Sequence, residues 1–576
     1  MKILIADIEA TGFLPDLKTK DNLLCLAIKE FDTNDRPIIY TDHSGDRPFS
    51  EGVSRLAGAD LIVLHNGLAY DSPAIVRFYG EGSIPHDRIY DTLVASRFRN
   101  PEKRQHSLEA LGQELGFPKT EQPAFTEYTD DLADYCANDV DVLHEIFKDL
   151  WPGKVSSALQ LEFDFAAVMS MQEQHGFRLD LEKAQTLADD CRQEMSDIET
   201  KLVKRWEPKV IERISEKTGR RLKDKVEVFN PGSRQMIAQR LVEDYGWKPK
   251  TYTPTGQPKI DEKILANLDY PEAKSLSRYF RLQKMLGQLS DGNNGWLKLE
   301  HDGRVHGRMK TIGTLTHRCS HWGPNMGQVD RRDQRMREVW IPDEGQVLVG
   351  CDADALELVC LAHYLARWDE GAYADALLNG SKDDGTDVHS RTQKLLELPS
   401  RDEAKRCQYG YLYGASDGKL AQICREAGGN IVNGKEIRAR MNEGITGLGE
   451  LSDAIRKRAK AGWFKALDGR KIQIKSEHSA LNFLLQSAGA IVMKKSMQVF
   501  HYDFAPYAGY VEDGCTVNFS YVANVHDEVQ LSVDPDHADR LGKLYADSIT
   551  EAAVRLKMRC PLSGTYQIGN NWWETH

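Results

Sequence analysis

Apolar residues in the first 150 positions fall into short runs separated by helical patterns. KILIADIE (2–9), LLCLAIKEF (23–31) and LIVLHN (61–66) predict strands; SPAIVRFYG, SLEALGQELG and LADYCANDVDVLHEIFKDLW predict helices. Strands followed in this way by helices predict an α/β domain. From about 156 to 300 the pattern is mostly helical and polar. ALQLEFDFAAVMSMQEQHG predicts a long helix ending at Gly176, and LEKAQTLADDCRQEMSDIETKLVKRW predicts another. Asn230-Pro231-Gly232 and then Ser233 predict a turn and a helix cap. Beyond 300, short strands precede helices, and a strand–turn–strand is expected near 521–533. No internal repeat or low-complexity tract is visible.

Composition narrows the class. A chain of 576 residues suggests roughly three or four domains, and 41% hydrophobic with 28% charged residues argues against disorder. No run approaches the ~18 uninterrupted apolar residues of a membrane span. MKILIADIEATG carries acids within its first strand and does not read as a signal peptide. Ten cysteines without a Cys-x-x-Cys pair indicate neither a zinc site nor a disulfide framework, and so a reducing, cytosolic setting. The net charge of −12 is unevenly spread: residues 1–150 hold 27 Asp+Glu and 15 Lys+Arg, whereas 201–260 hold 15 Lys+Arg and 7 Asp+Glu. Acids gathered in one module suit cations, and a basic stretch suits phosphates. The plainer reading of each is a solvated charged surface.

Three constellations carry candidate chemistry. Asp7 and Glu9 lie two apart in a strand and share a face. Asn66 and Asp71 follow the third apolar run, and Tyr135 and Asp139 sit four apart on one helix face. Four carboxylates from three elements, brought together, repel until divalent cations relieve them, as two-metal phosphodiester cleavage requires. Arg401, Lys405, Tyr409 and Tyr413 form a stripe at spacings of four. Two cations and then two rings suit a triphosphate at one end and a flat base at the other, with His389 placed to join the phosphate end. An amphipathic helix with snorkelling cations gives the same period. Asp352 ends an apolar strand with Glu357 five residues on, and His526-Asp527-Glu528 separates two apolar runs as a hairpin tip does. Asp352 and Asp527 can hold two magnesium ions if their strands meet.

The full series resembles known families. Asp7-x-Glu9-x-x-Gly12, His65-Asn66-Gly67…Asp71 and Tyr135-x-x-x-Asp139 resemble the three motifs of DEDDy 3′→5′ exonucleases. That resemblance implies an RNase H-like fold, with Asp7, Glu9, Asp71 and Asp139 as magnesium or manganese ligands and Tyr135 orienting the attacking water. Arg401-x-x-x-Lys405-x-x-x-Tyr409-x-x-x-Tyr413-Gly414 resembles the O-helix of family A (polymerase I type) DNA polymerases, and the Asp352 and Asp527-Glu528 segments resemble its motifs A and C. The resemblance implies catalytic roles for Asp352, Asp527, Lys405 and Glu528. It implies nucleotide contacts from Arg401, Lys405, Tyr409, Tyr413, Glu357 and His389, and DNA contacts from Arg318, Asn482, Gln486, His526 and Asn66. Tyr409, where many relatives carry phenylalanine, implies acceptance of dideoxynucleotides. The C-terminal Gly569…Asn571-Trp572…His576 resembles the family's usual ending.

The match to short bacteriophage polymerases is closest. Asp354 and Ala355 stand where those relatives have small Ser and Gly, so an extra carboxylate is expected beside the metals. His317 stands where glycine is usual, and Trp322 is unusual. The implied architecture is multidomain α/β and α+β: an RNase H-like exonuclease domain (1–150), then a right-hand polymerase with thumb (151–300), palm (301–363 and 480–576) and fingers (364–479). The expected protein replicates phage DNA in the cytoplasm of an infected bacterial host as a monomer. It uses two Mg²⁺ per site (or Mn²⁺), primer–template DNA and dNTPs, with phage helicase and single-strand binding protein as further partners. Only 23 residues separate Trp206 from Asn230, too few for a thioredoxin-recruiting insertion, so no thioredoxin is expected. No 5′-nuclease domain is expected before residue 7, and no membrane contact. Two rivals have other chemistry. A single-subunit RNA polymerase is disfavoured by Glu357 and by the exonuclease motifs. An inert DNA-binding scaffold is disfavoured by the complete carboxylate set.

Overall fold

β1 (Ile3–Ala10) is buried along its length except at Asp7 and Glu9, which are only half-buried. That pattern belongs to a central strand covered on both faces. It pairs antiparallel with β2 (Leu23–Glu30) and parallel with β4 (Leu61–Leu64). β3 (Ile38–Tyr40) and β5 (Ile89–Asp91) complete the order β3-β2-β1-β4-β5. The helix Asp130–Leu150 packs across β1 and β2 and buries Leu132, Cys136, Val140 and Leu143. The computed structural model describes residues 1–44, 47–80, 82–215, 217–431, 433–505 and 518–576.

The long helices fall where the apolar spacing puts them. Ser157–His175 ends at Gly176, whose φ of +73° suits a residue without Cβ, and Leu181–Arg205 follows. Ser233 caps Arg234–Tyr245 by accepting the Met236 amide. The polar helical pattern fails between them: Lys209–Ile214 and Arg221–Glu227 form an antiparallel hairpin. β-Branched residues there support pairing, yet Val210, Ile214 and Val226 remain about 60% exposed, so no buried face produced a strand signal.

A second sheet carries the strand–turn–strand. Its order is Phe519–Val525, Glu528–Val533, Val347–Ala353, Gly564–Gly569, all antiparallel. The helices Ala480–Gln498 and Ala538–Arg555 pack together, and the latter covers the sheet. No described helix is long and apolar enough to cross a membrane.

A buried ionic junction ties the first module to this body. Glu162, from the helix that leaves the module, accepts from Arg470 and, at 2.7 Å, from Lys494 Nζ; both partners are nearly inaccessible. Asp468 lies 2.7 Å from Arg470, and the Thr311 and His317 carbonyls take the remaining Lys494 protons at 2.8 and 2.9 Å. Arg470 also stacks over Phe98 of the first module and donates to His317 Nδ1 at 3.1 Å. His317 sits at φ +59°, a conformation natural to glycine, and this junction holds it there.

Candidate functional site

Two separate carboxylate clusters emerge. In the first, Asp7 and Glu9 project from β1 while Asp71 opens the helix Asp71–Tyr79. Asp71 Oδ1 accepts the Ile8 amide at 3.3 Å, which locks it between them. The turn before it is tight: a Cβ on Gly67 would lie 2.2 Å from Leu64 Cβ. Asp91 holds that turn by accepting the Asn66 and Leu68 amides, both at 3.2 Å. Asp139 closes the cluster from the helix Asp130–Leu150, with one oxygen buried and unpartnered. Ligand atoms of Asp7, Glu9 and Cys136 lie within 4.8 Å of one another. Burial pushes the Cys136 thiol up, and its soft sulfur suits Mg²⁺ or Mn²⁺ less than the hard carboxylate oxygens do.

Burial raises all four carboxyls, and repulsion from the other cluster carboxylates adds to it at Asp7 and Glu9. Asp7 lies well above the ordinary range, Glu9 is pushed up to about 8, and burial raises Asp71 to about 7. Burial takes Asp139 to about 6, held down by Lys119. Lys119 pairs with Asp139 at 2.5 Å and lies 4.7 Å from the Tyr135 ring centroid. Sequence reasoning missed it, because a lysine in an irregular loop carries no periodic signal. A set of hard oxygen donors with an orphaned atom fits Mg²⁺ or Mn²⁺.

The raised values fix a pH response. The folded carboxyls keep protons that the unfolded chain releases near pH ~4, so this contribution to stability is complete below that value. It is lost as pH rises through about 6 to 8. The melting temperature in EDTA should therefore fall between pH ~5 and ~9, and the rise on adding Mg²⁺ should grow with pH. A Mg²⁺ increment that is flat across this range in calorimetry would contradict the cluster.

The second cluster lies on the second sheet. Asp352 pairs in register with Glu528, and the Ala353 amide donates to the Asp527 carbonyl at 3.3 Å. A two-residue turn, with His526 at φ +62°, presents Asp527 beside Asp352. Burial, then Asp527 and Glu528, push Asp352 up to about 7, and its Oδ1 is buried without a partner. Glu528 is itself enclosed: it accepts from Trp572 Nε1 and from Gln530 at 2.8 Å, with His576 Nδ1 3.0 Å and Arg337 3.6 Å away. It anchors the C-terminal segment and leaves Asp352 and Asp527 as the open pair.

The predicted stripe borders this pair. Ser400 caps the helix Arg401–Leu412. Arg401 binds Asp387 at 3.0 Å, and Lys405 is exposed with no ion pair among the described residues. The Tyr409 ring lies 5.9 Å from Tyr413 and 6.4 Å from His389. His389 is buried, and its Nδ1 meets Gln408 at 2.8 Å, a partner the stripe did not reveal. Glu357 receives Tyr413 Oη at 2.5 Å and Arg318 at 3.0 Å. Arg318, Glu357, Tyr413, His526 and Asp527 line one cavity of about 400 Å³. Asn482 and Gln486 lie on the helix Ala480–Gln498, with Asn482 Oδ1 buried and unpartnered. Asn66 is exposed at φ +63° on the wall of a larger cavity beside the first cluster.

Two departures now have a physical account. Ala355 has φ +48°, which explains why glycine suits that position and implies about 1–2 kcal/mol of strain here. Asp354 turns toward the last strand, accepting from Ser563 at 2.7 Å and Thr565 at 3.3 Å. It acts on Asp352 only as the weakest of the charges raising it.

The model of DNA polymerase family A matches residues 200–574. The chain is 27% identical to the DNA-directed DNA polymerase of Escherichia phage T7, with both chains covered in full. It is 24% identical to DNA polymerase I of Aquifex aeolicus, over 91% of this chain and 89% of the relative. A solved structure of the POL domain of Pol1 from M. smegmatis, in complex with DNA primer-template and dNTP, shares the fold. Its TM-score is 0.73 at 19% identity, over 96% of this chain and 93% of that one. The family match covers more than half of the chain, including the Asp352–Asp527 pair and the stripe from Arg401 to Tyr413, and the chain belongs to DNA polymerase family A.

Proposed function

We propose that the protein is a template-directed DNA polymerase of bacteriophage type that proofreads with its own 3′→5′ exonuclease. The observation that carries this reading is the pair of carboxylate clusters, each with a buried, unpartnered oxygen (Asp139 Oδ1 and Asp352 Oδ1). The β3-β2-β1-β4-β5 order, with β4 parallel to β1, supports an RNase H-like exonuclease for the first module. In the same reading the Asp352 sheet is the palm, the segment around 401–412 the fingers, and the helices near 181–205 and 271–286 the thumb.

Asp352 and Asp527 would hold cations in one cage, and Asp7, Glu9, Asp71 and Asp139 in the other. Bound Mg²⁺ or Mn²⁺ supplies charge neutralisation and an oxygen nucleophile of lowered pKa. The chain supplies the rest. Lys405 and Arg401 bind the triphosphate, Tyr413 and Glu357 shape the sugar and base pocket, and Arg318 fixes Glu357 from the primer side. Tyr135 orients water at the exonuclease cluster. Helicase and single-strand binding protein in an infected bacterium are the matching partners. The test is extension of a primed template with deoxynucleotides against ribonucleotides, alongside trimming of a mispaired 3′ end. Absence of deoxynucleotide-dependent extension defeats the reading.

Tyr409 provides a sharper check. Burial raises its hydroxyl to about 12, so it stays protonated and can replace the hydrogen bond that a dideoxynucleotide cannot make. Tyr409→Phe should lower the kcat/KM ratio of ddNTP to dNTP by ~10–100-fold, as expected for one hydrogen bond to a charged group. An unchanged ratio would remove Tyr409 from sugar recognition.

A further inference from the structure

The strands Arg308–Lys310 and Ser320–Trp322 form a short antiparallel hairpin, with Arg308 opposite Trp322 and Met309 opposite His321. Opposed residues share a face, and successive residues alternate faces. One face carries buried Met309 together with His321, which meets the Asn524 carbonyl at 2.7 Å and lies 6.4 Å from the His526 ring. Of these two, His321 lines the Asp527 cavity, whereas Met309 reaches the wall of the larger cavity beside the first cluster. The other face carries Trp322 and Arg308, whose guanidinium lies 5.0 Å from the indole centroid. It opens on that larger cavity, of about 800 Å³, lined by Trp322, Arg308, Lys310, Phe13, Asn66 and Glu9. One hairpin thus borders the cavities beside both carboxylate clusters, through His321 on one side and through Trp322, Arg308 and Lys310 on the other.

The second face has the chemistry of a single-strand site. Trp322 is 47% exposed, a large flat ring left open to solvent. Any base can stack on such a ring, and neighbouring cations hold the backbone. Arg308 and Lys310 supply that charge from the hairpin, and Glu9 lines the same cavity. We propose that Trp322, flanked by Arg308, is a stacking platform for the unpaired 3′ end of a DNA strand passing from the Asp352–Asp527 cluster to the Asp7–Glu9 cluster. The inference rests on the proofreading reading above. It assigns a binding role to the hairpin's exposed tryptophan.

The experiment compares hydrolysis of a primer with three mispaired 3′ nucleotides against the p-nitrophenyl ester of thymidine 5′-monophosphate, a single-nucleotide substrate. Trp322→Ala should lower the ratio of DNA to ester hydrolysis about tenfold, Arg308→Ala should lower it less, and Trp322→Phe should restore most of it. An unchanged ratio, or equal loss on both substrates, overturns the platform. A second measurement is independent of nuclease chemistry. A 2-aminopurine at the unpaired 3′ end, bound in EDTA, should be quenched by the wild-type protein and by Trp322→Phe but not by Trp322→Ala. Equal fluorescence in all three overturns the platform. Asp7→Ala separates the two ideas: if it leaves DNA hydrolysis intact the proofreading reading falls, and the fluorescence still decides the platform.

Discussion

Asp527→Ala is expected to abolish primer extension by ~10³-fold or more, about 4 kcal/mol of transition-state stabilisation, while trimming of mispaired 3′ ends persists. Asp7→Ala should do the reverse. The reasoning is electrostatic. Asp352 is held near neutrality by burial and by Asp527 and Glu528, a state that costs energy unless cations replace protons. Glu528 cannot stand in for Asp527, because Trp572, Gln530 and His576 already occupy its oxygens. Asp7 stands in a different sheet, with Asp71, Glu9 and Asp139 as its charged neighbours. The measurement is single-turnover extension and trimming on one DNA, with melting curves as a folding control. Loss of both activities in either folded variant would refute two independent cages.

Glu162→Gln should destabilise the protein by about 3–5 kcal/mol, the cost of removing one partner from a buried ion pair. Glu162 is the shared anion of Arg470 and Lys494. Arg470 would retain Asp468, but Lys494 would be left with two carbonyls and the Phe165 ring, 5.2 Å away. Adding Lys494→Met should recover much of the loss, since the uncompensated charge rather than the missing bond dominates it. Urea unfolding of the single and double variants measures both terms. Additive effects would show that the three groups do not act as one network. The junction also joins Phe98 of the first module to the body, so the single variant should loosen that seam.

Much of the site was legible from local pattern. Asp7 and Glu9 two apart, Tyr135 and Asp139 four apart, and the stripe from Arg401 to Tyr413 are consequences of strand and helix periods. The hairpin 209–227 was not legible, because its apolar residues face solvent and produce no alternation between core and surface. Glu528 reads like Asp527 in one dimension. Only the packing of Trp572, Gln530 and His576 against it separates an anchor from an open carboxylate.

The sequence alone determined which elements form and which side chains share a face, since both follow from backbone geometry repeating every few residues. The tertiary structure decided which faces meet. It brought Lys119 onto Asp139, closed Glu357 between Arg318 and Tyr413, and set His317 in a left-handed conformation beside Arg470. These contacts join residues tens to hundreds of positions apart. Burial and charge are properties of the assembled surroundings, so no local pattern in the chain encodes them.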